Sequence, residues 1–301
     1  MVTRPRRHRR RGKRNNPIPV LFGEPNQPMT DTTGWPYSRS ISESLYAVGP
    51  KHYPVLEPRG RAFTRSVVAF LLQPTDAGVT LLLTRRSARV RQPGDLCCPG
   101  GGAEPKLDSA IACLLRLPRS PMTRWPLWGR WCREAGSRRH IFTTLLATAL
   151  RECFEEIRLW PLTVAFLGML PPQELVLFKR AIYPVVCWVP RQERFSPNWE
   201  VDAMVAIPLS RLLAPERYIR YRLRFADGVG SGGGGATIKD FLGFRYDAGD
   251  DNTGVLWGAT FRMTMDYLRI VHRFVPPAIG TLPVIHRTIG RDYLTGNGNS
   301  T

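Results

Sequence analysis

Apolar positions along the 301-residue chain recur at two periods, one suited to strands and one to helices. RSVVAFLLQ (65–73) is an unbroken apolar run of strand length, and DAGVTLLLTRRS (76–87) supplies a turn and a second run. Together they predict a hairpin or adjacent strands. RQPGDLCCPGGG (91–102) reads as loop, short strand and glycine turn, and SAIACLLRL (109–117) has helical character. PRSP and then RWPLWGRWCREAGSRRH (124–140) break that pattern before IFTTLLATALRECFEEIRL (141–159) restores it. There Leu146, Leu150, Cys153 and Ile157 recur at i, i+4, i+7 and i+11, one apolar face of a helix.

Strand-like runs follow in TVAFLGML (163–170), RAIYPVVCWV (180–189) and MVAIPL (204–209). SRLLAPERYIRY (210–221) reads as a short helix or turn, and GVLWGATFRMTMDYLRIVHRFV (254–275) as a strand end running into an amphipathic helix. The glycine-rich stretch at about 227–237 has the composition of a flexible loop. No repeat of 20–50 residues is present, so the alternation predicts a mixed α/β domain with a sheet between helices.

The organisation expected is a basic, irregular extension over residues 1–60, a domain over 61–275 and a tail over 276–301. The charge of +19 concentrates in residues 1–14, with eight positive charges, and in 113–140, with seven arginines against Glu134. Lysine occurs only five times, so an arginine-biased composition accounts for part of the charge. No apolar run reaches the roughly 18–20 residues of a membrane span, and the opening arginines lack a following apolar stretch of secretory type. A cytoplasmic protein off the membrane is expected. Six cysteines without metal-ligand spacing predict reduced, mostly buried thiols.

One stretch resists a purely structural reading. In LRECFEEIRL (150–159), Glu152, Glu155 and Glu156 share a face opposite the apolar stripe, without interleaved lysines. Like charges three and four apart on a helix cost roughly 0.2–0.5 kcal/mol per pair. Their repulsion becomes attraction when a divalent cation is present, and Mg2+ needs few protein carboxylates because water and substrate complete its shell.

RECFEEIRL resembles the core of the Nudix box, G-x5-E-x7-R-E-U-x-E-E-x-G-U with U apolar. Arg151, Glu152, Cys153, Glu155, Glu156 and Leu159 occupy its positions, Gly102 the glycine turn, and Asp108 the place of the first glutamate. LLLTRRSARVRQPGDLCCPGG (81–101) and LWGATFRM (256–263) are similar to elements of coenzyme A diphosphatase-like Nudix hydrolases. This chain departs from the family pattern. In the box, Asp108 and Arg151 are separated by 42 residues, which implies an insertion over about 109–143, and Arg158 replaces a glycine; in the preceding signature the Arg91–Gly94 spacing is one residue short and Cys98 replaces a phenylalanine.

The resemblance implies an α/β/α sandwich with an inserted helical segment and a metal-dependent diphosphatase. Mg2+ or Mn2+ would be held by Glu152, Glu155 and Glu156, with Glu152 also a candidate general base. Arg151 would orient the carboxylates, plausibly through Asp108. Gly101 and Gly102 would admit close approach of metal or phosphate, and Arg86 and Arg91 would clamp phosphate. Glu200 is a further acidic candidate. The implied substrate is a nucleotide-type small molecule such as coenzyme A, cleaved to 3′,5′-ADP and 4′-phosphopantetheine. The competing expectation is a catalytically weak ligand- or RNA-binding protein using the basic tail and the Arg/Trp segment. Trp125, Trp128 and Trp131 would then stack bases, although packing of an inserted helical segment on the main domain is the favoured reading of them.

Overall fold

The computed structural model describes residues 35–48, 64–76, 78–136, 139–175, 180–189, 194–226, 237–247, 253–290 and Tyr293. Among the described residues six α-helices run in order: α1 (Trp35–Val48), α2 (Pro105–Leu114), α3 (Trp128–Glu134), α4 (Arg139–Ile157), α5 (Leu209–Leu212) and α6 (Gly258–His272). The strands of the larger sheet are β1 (Thr64–Thr75), β2 (Gly78–Arg86), β3 (Leu96–Cys97), β4 (Gly100–Gly102), β5 (Ala165–Met169), β6 (Gln173–Leu175), β7 (Arg180–Trp188) and β8 (Val201–Pro208). A smaller sheet holds β9 (Tyr218–Phe225), β10 (Thr237–Asp247), β11 (Thr253–Leu256) and β12 (Val284–Ile289).

β1 and β2 form the predicted antiparallel hairpin, with Leu71 opposite Leu82. β1 also pairs in parallel with β7 and, at its other end, antiparallel with β4. Its unbroken apolar run follows from burial on both faces. Val67, Ala69 and Leu71 pack with Leu146, Leu150 and Cys153 of α4, whereas Val68, Phe70 and Leu72 pack with Ile41 and Leu45 of α1 and Tyr267 of α6. The sheet therefore lies between helices, as the mixed α/β reading expects. Leu146, Leu150, Cys153 and Ile157 are all buried, so the apolar stripe of α4 is its docking face.

Four boundaries differ from expectation. The extension 1–60 is not irregular throughout, because α1 closes one face of the sheet with Ile41 and Leu45. Its serine-rich sequence hides two apolar positions one turn apart. The basic residues 1–14 lie outside the described residues. The stretch 276–301 is not simply a tail, since β12 adds to β9 in parallel and Tyr293 packs into the smaller sheet's core.

YIRY (218–221) is strand rather than helix or turn, because Ile219, Tyr221 and Leu223 alternate with arginines and face that core. Thr237 begins β10, so of the glycine-rich loop only 227–236 is set apart, and those residues lie outside the described ones.

The segment between Asp108 and α4 is only partly helical, with turns joining α2 to α3. Its tryptophans belong to packing. Trp125 is buried and donates from Nε1 to the Leu167 carbonyl at 3.0 Å, and Trp131 stacks on Phe142 with ring centroids 4.2 Å apart. Of the six cysteines, Cys98, Cys153 and Cys187 are buried, whereas Cys113 is exposed and the others lie between; all are free thiols.

Candidate active site

The site gathers where α4 crosses the glycine strand β4. Gly100 has φ of +154°, and a Cβ there would fall 2.2 Å from the Val67 carbonyl oxygen, so only glycine lets β4 lie against β1. At Gly101 a Cβ would fall 2.4 Å from Glu152 Oε1. The bare backbone thus leaves the space that the Glu152 carboxylate fills.

Arg151 is the hub. Its Nε donates to Asp108 Oδ1 at 2.8 Å, and Nη2 donates to the Gly102 carbonyl at 2.8 Å. Nη2 also pairs with Glu152 Oε1 at 3.1 Å, while Nη1 donates to Glu155 Oε2 at 3.1 Å. One buried guanidinium therefore fixes α2, β4 and two α4 carboxylates together. Burial works against its charge, but the Asp108 hydrogen bond and the Glu152, Asp108 and Glu155 charges outweigh that and raise its pKa.

Asp108 is itself fully buried. Its Oδ2 accepts from the Thr148 hydroxyl at 2.8 Å and from the Glu104 backbone N–H at 2.8 Å. Both oxygens are satisfied, as a carboxylate removed from water requires.

The carboxylates differ in environment. Glu155 has a side chain 49% exposed, against 14% for Glu152. Burial raises the Glu152 pKa, with the Arg151 charge and hydrogen bond opposing. Glu156 is pushed up to about 8, first by burial and then by the negative charges of Glu152 and Glu200. The Gly100 N–H, which donates to Glu156 Oε1 at 3.3 Å, and the Arg86 charge pull it back.

Glu200, half-buried in the turn before β8, thus acts on the same patch through its charge. The chain before it docks on the end of α4, where the Asn198 N–H donates to the Glu156 carbonyl at 2.7 Å. Arg158, with φ of +57°, ends α4 in the left-handed conformation that favours glycine. Its guanidinium sits 5.2 Å from the Phe154 ring centroid.

Arg86 ends β2 where the β2–β8 register shifts between Arg85 and Arg86, an irregularity that re-aims the side chain. Its Nε donates to the Arg91 carbonyl at 2.6 Å, and Nη1 lies 3.9 Å from Cys97 Sγ. Arg91 joins the site through that carbonyl, since its residue is otherwise exposed in the loop after β2. Thr148, Glu104 and Gly100 are partners that the sequence reading did not name. Thr148 was within reach of such reading, because it lies three residues before Arg151 on one helix face.

A divalent cation suits this donor set. Glu152 and Glu156 are carboxylates whose negative charge burial and mutual repulsion disfavour, beside a strand with no side chains. Among the described residues, no group of three His, Cys, Asp or Glu side chains stands ready to enclose a metal. A hard cation here would lean on one or two carboxylates and fill its shell with water and phosphate oxygens. Among the described residues no helix is long and apolar enough to cross a membrane.

No protein-family model matches the chain. Over 171 residues the chain is 33% identical to the uncharacterized Nudix hydrolase NudL of Pectobacterium atrosepticum, spanning 56% of this chain and 67% of that protein. A NudL of Enterobacter sp. is 30% identical over 140 residues, which cover 46% of this chain and about half of the relative, 54%. Among solved structures, a Nudix hydrolase from M. smegmatis, RenU, aligns with a TM-score of 0.32 at 12% identity, covering 52% of this chain and 83% of its own. The Nudix domain of Shewanella oneidensis NrtR, solved with ADP ribose, aligns with a TM-score of 0.31 at 16% identity, covering 57% and 85%.

Proposed function

Because the chain belongs to the Nudix hydrolase superfamily, we propose that it cleaves the diphosphate linkage of a nucleoside diphosphate derivative by attack of an activated water. The observation that carries this reading is the Arg151 hub, which gathers Asp108, Glu152, Glu155 and the Gly102 carbonyl beside the buried Glu156.

Glu152 and Glu156 would hold Mg2+ or Mn2+, with Glu155 at the exposed edge. When bound, such a cation neutralises phosphate oxygens and lowers the pKa of the attacking water. Glu152 would accept that water's proton, a role supported by the Arg151 contact that fixes its carboxylate and by the bare Gly101 backbone against which it lies. Arg151 and Asp108 position the carboxylates. Arg86 holds a phosphate, having among the described residues no carboxylate within ion-pairing distance and lying close enough to act on Glu156. Coenzyme A is the substrate that the sequence resemblance brings forward within this class.

The test is hydrolysis of a panel with Mg2+ or Mn2+: coenzyme A, dephospho-coenzyme A, ADP-ribose, NADH, dinucleoside polyphosphates, nucleoside triphosphates and capped RNA. Turnover should depend on the cation and disappear in Glu152→Gln and Glu156→Gln. Turnover that survives both substitutions refutes the site. No turnover of any member by folded, cation-supplied protein refutes the enzymatic reading.

A second reading, nucleic-acid binding, is favoured by the exposed Arg116, Arg119 and Arg133 around α3. The tryptophans expected to stack bases are committed to packing instead, because Trp125 and Trp131 are in the core. Affinity for RNA that falls steeply with salt and with removal of those arginines would support it.

A further inference from the structure

Beyond the carboxylate patch a cleft of about 640 Å³ opens between the two sheets. On one side lie Arg85 and Arg86 of β2 with Asp95 and Asp202; on the other lie Tyr221, Tyr246, Ile285 and Arg287 of the smaller sheet. Arg86 is common to both places, lining the cleft while its charge acts on Glu156. A phosphate held at Arg86 therefore has one arm of its molecule directed into this cleft.

The charges of the cleft are distributed in a way that selects that arm. Arg85 donates to Asp202 at 2.7 Å, and Arg287 pairs with Asp95 at 3.1 Å. Asp95 also accepts from the Tyr293 hydroxyl, and Arg287 donates to Tyr221 at 3.4 Å. His286 also lines the cleft, whereas Asp240 is held by Arg222 at 2.7 Å and lies outside the lining. Past Arg86, then, each arginine of the cleft has its carboxylate. A second phosphate there would meet the exposed Asp202 carboxylate, and like-charge juxtaposition is unfavourable.

The same groups suit a neutral polar arm. Carboxylates accept from ribose hydroxyls and exocyclic amines, and guanidinium and phenol groups donate to ring nitrogens and carbonyls. A plain aliphatic arm would cover these polar pairs without offering them a hydrogen bond.

We propose that this cleft, resting on the diphosphatase reading above, is the nucleoside subsite and admits a nucleoside that carries no further phosphate. Arg86 marks the end of the diphosphate, and the Arg85–Asp202 and Arg287–Asp95 pairs read the uncharged sugar and base. Asp202, set on the exposed start of β8 with a side chain 53% accessible, acts as the element that excludes a phosphorylated sugar.

A matched pair isolates the point: dephospho-coenzyme A and coenzyme A differ only by a 3′-phosphate on the ribose. The full chain with Mn2+ should favour dephospho-coenzyme A in kcat/KM by about tenfold or more, the expected scale of a like-charge clash. Asp202→Asn frees Arg85 and should cut that preference to below about threefold, mainly by improving coenzyme A. In parallel, calorimetry on metal-free protein should find AMP bound more tightly than adenosine 3′,5′-bisphosphate.

Equal or better turnover of coenzyme A by the wild type, or a preference that Asp202→Asn leaves unmoved, overturns the assignment. So does tighter binding of the bisphosphate, or no binding of either nucleotide. If neither coenzyme is hydrolysed, the diphosphatase reading is decided by the wider substrate panel, and the calorimetric comparison still decides the cleft.

Discussion

Glu156 offers a sharp test of whether the carboxylate patch is built for a cation. Its pKa stands at about 8 in the folded, metal-free protein against an ordinary 4.5. Between those values the folded state holds a proton that the unfolded chain has lost, so stability falls as pH rises. The loss is absent below about pH 4.5 and complete above about pH 8. At about 1.36 kcal/mol per unit the full effect is roughly 3–5 kcal/mol, with about 2–3 kcal/mol of it present at pH 7.

Glu156→Gln keeps an oxygen for the Gly100 N–H and removes the charge. Chemical denaturation of metal-free protein between pH 5.5 and 8.5 should show wild-type stability declining and the variant's profile markedly flatter. The variant should be the more stable by about 2 kcal/mol or more at pH 8, while its turnover is lost. Saturating Mg2+ should flatten the wild-type profile toward the variant's, since a ligand that binds only the folded state adds RT ln(1 + [L]/Kd). Parallel profiles for wild type and variant would show that Glu156 carries no such strain and would remove the physical argument for a cation.

Asp108→Asn breaks a buried ion pair and should cost about 3–5 kcal/mol, lowering Tm by roughly 6–20 °C in a thermal melt; a loss below about 1 kcal/mol would show that Arg151 does not depend on it. Gly101→Ala pushes a methyl into the Glu152 carboxylate and should raise the Mn2+ concentration for half-maximal activity about tenfold or more, with the far-ultraviolet circular dichroism unchanged. Tyr293→Phe removes a donor from the part-buried Asp95 and should destabilise by about 1–3 kcal/mol in urea denaturation.

The parts of this fold legible in the sequence are those whose signal lies within one element. The α4 stripe of Leu146, Leu150, Cys153 and Ile157 repeats over three turns, and the β1 run is unbroken because helices cover both faces of its sheet. The three glutamates were equally readable, since their spacing alone makes a lone helix unfavourable. Contact between distant segments is harder to read. The Asp108–Arg151 pair, joined at 2.8 Å across 42 intervening residues, was expected only through the family resemblance, because no local periodicity encodes that approach, and the Thr148 and Glu104 partners of Asp108 were missed.

The smaller sheet was missed for a different reason, and the reason bears on function. Arginines alternate with Ile219, Tyr221, Leu223 and Phe225 along β9, a period-two signal that the helical reading of the preceding SRLLAPER overran. β12 lies beyond the long amphipathic α6, where the chain resembled a tail. Yet these strands supply Tyr221, Ile285 and Arg287 to the cleft, and Tyr293 together with Arg287 grips Asp95 in the loop after β2. On the proposed reading, the box-like helix supplies charge at the reacting end, while selectivity for the rest of the substrate falls to segments outside it. Substitutions in β9 and β12 should accordingly change which molecule is cleaved before they change whether cleavage depends on a cation.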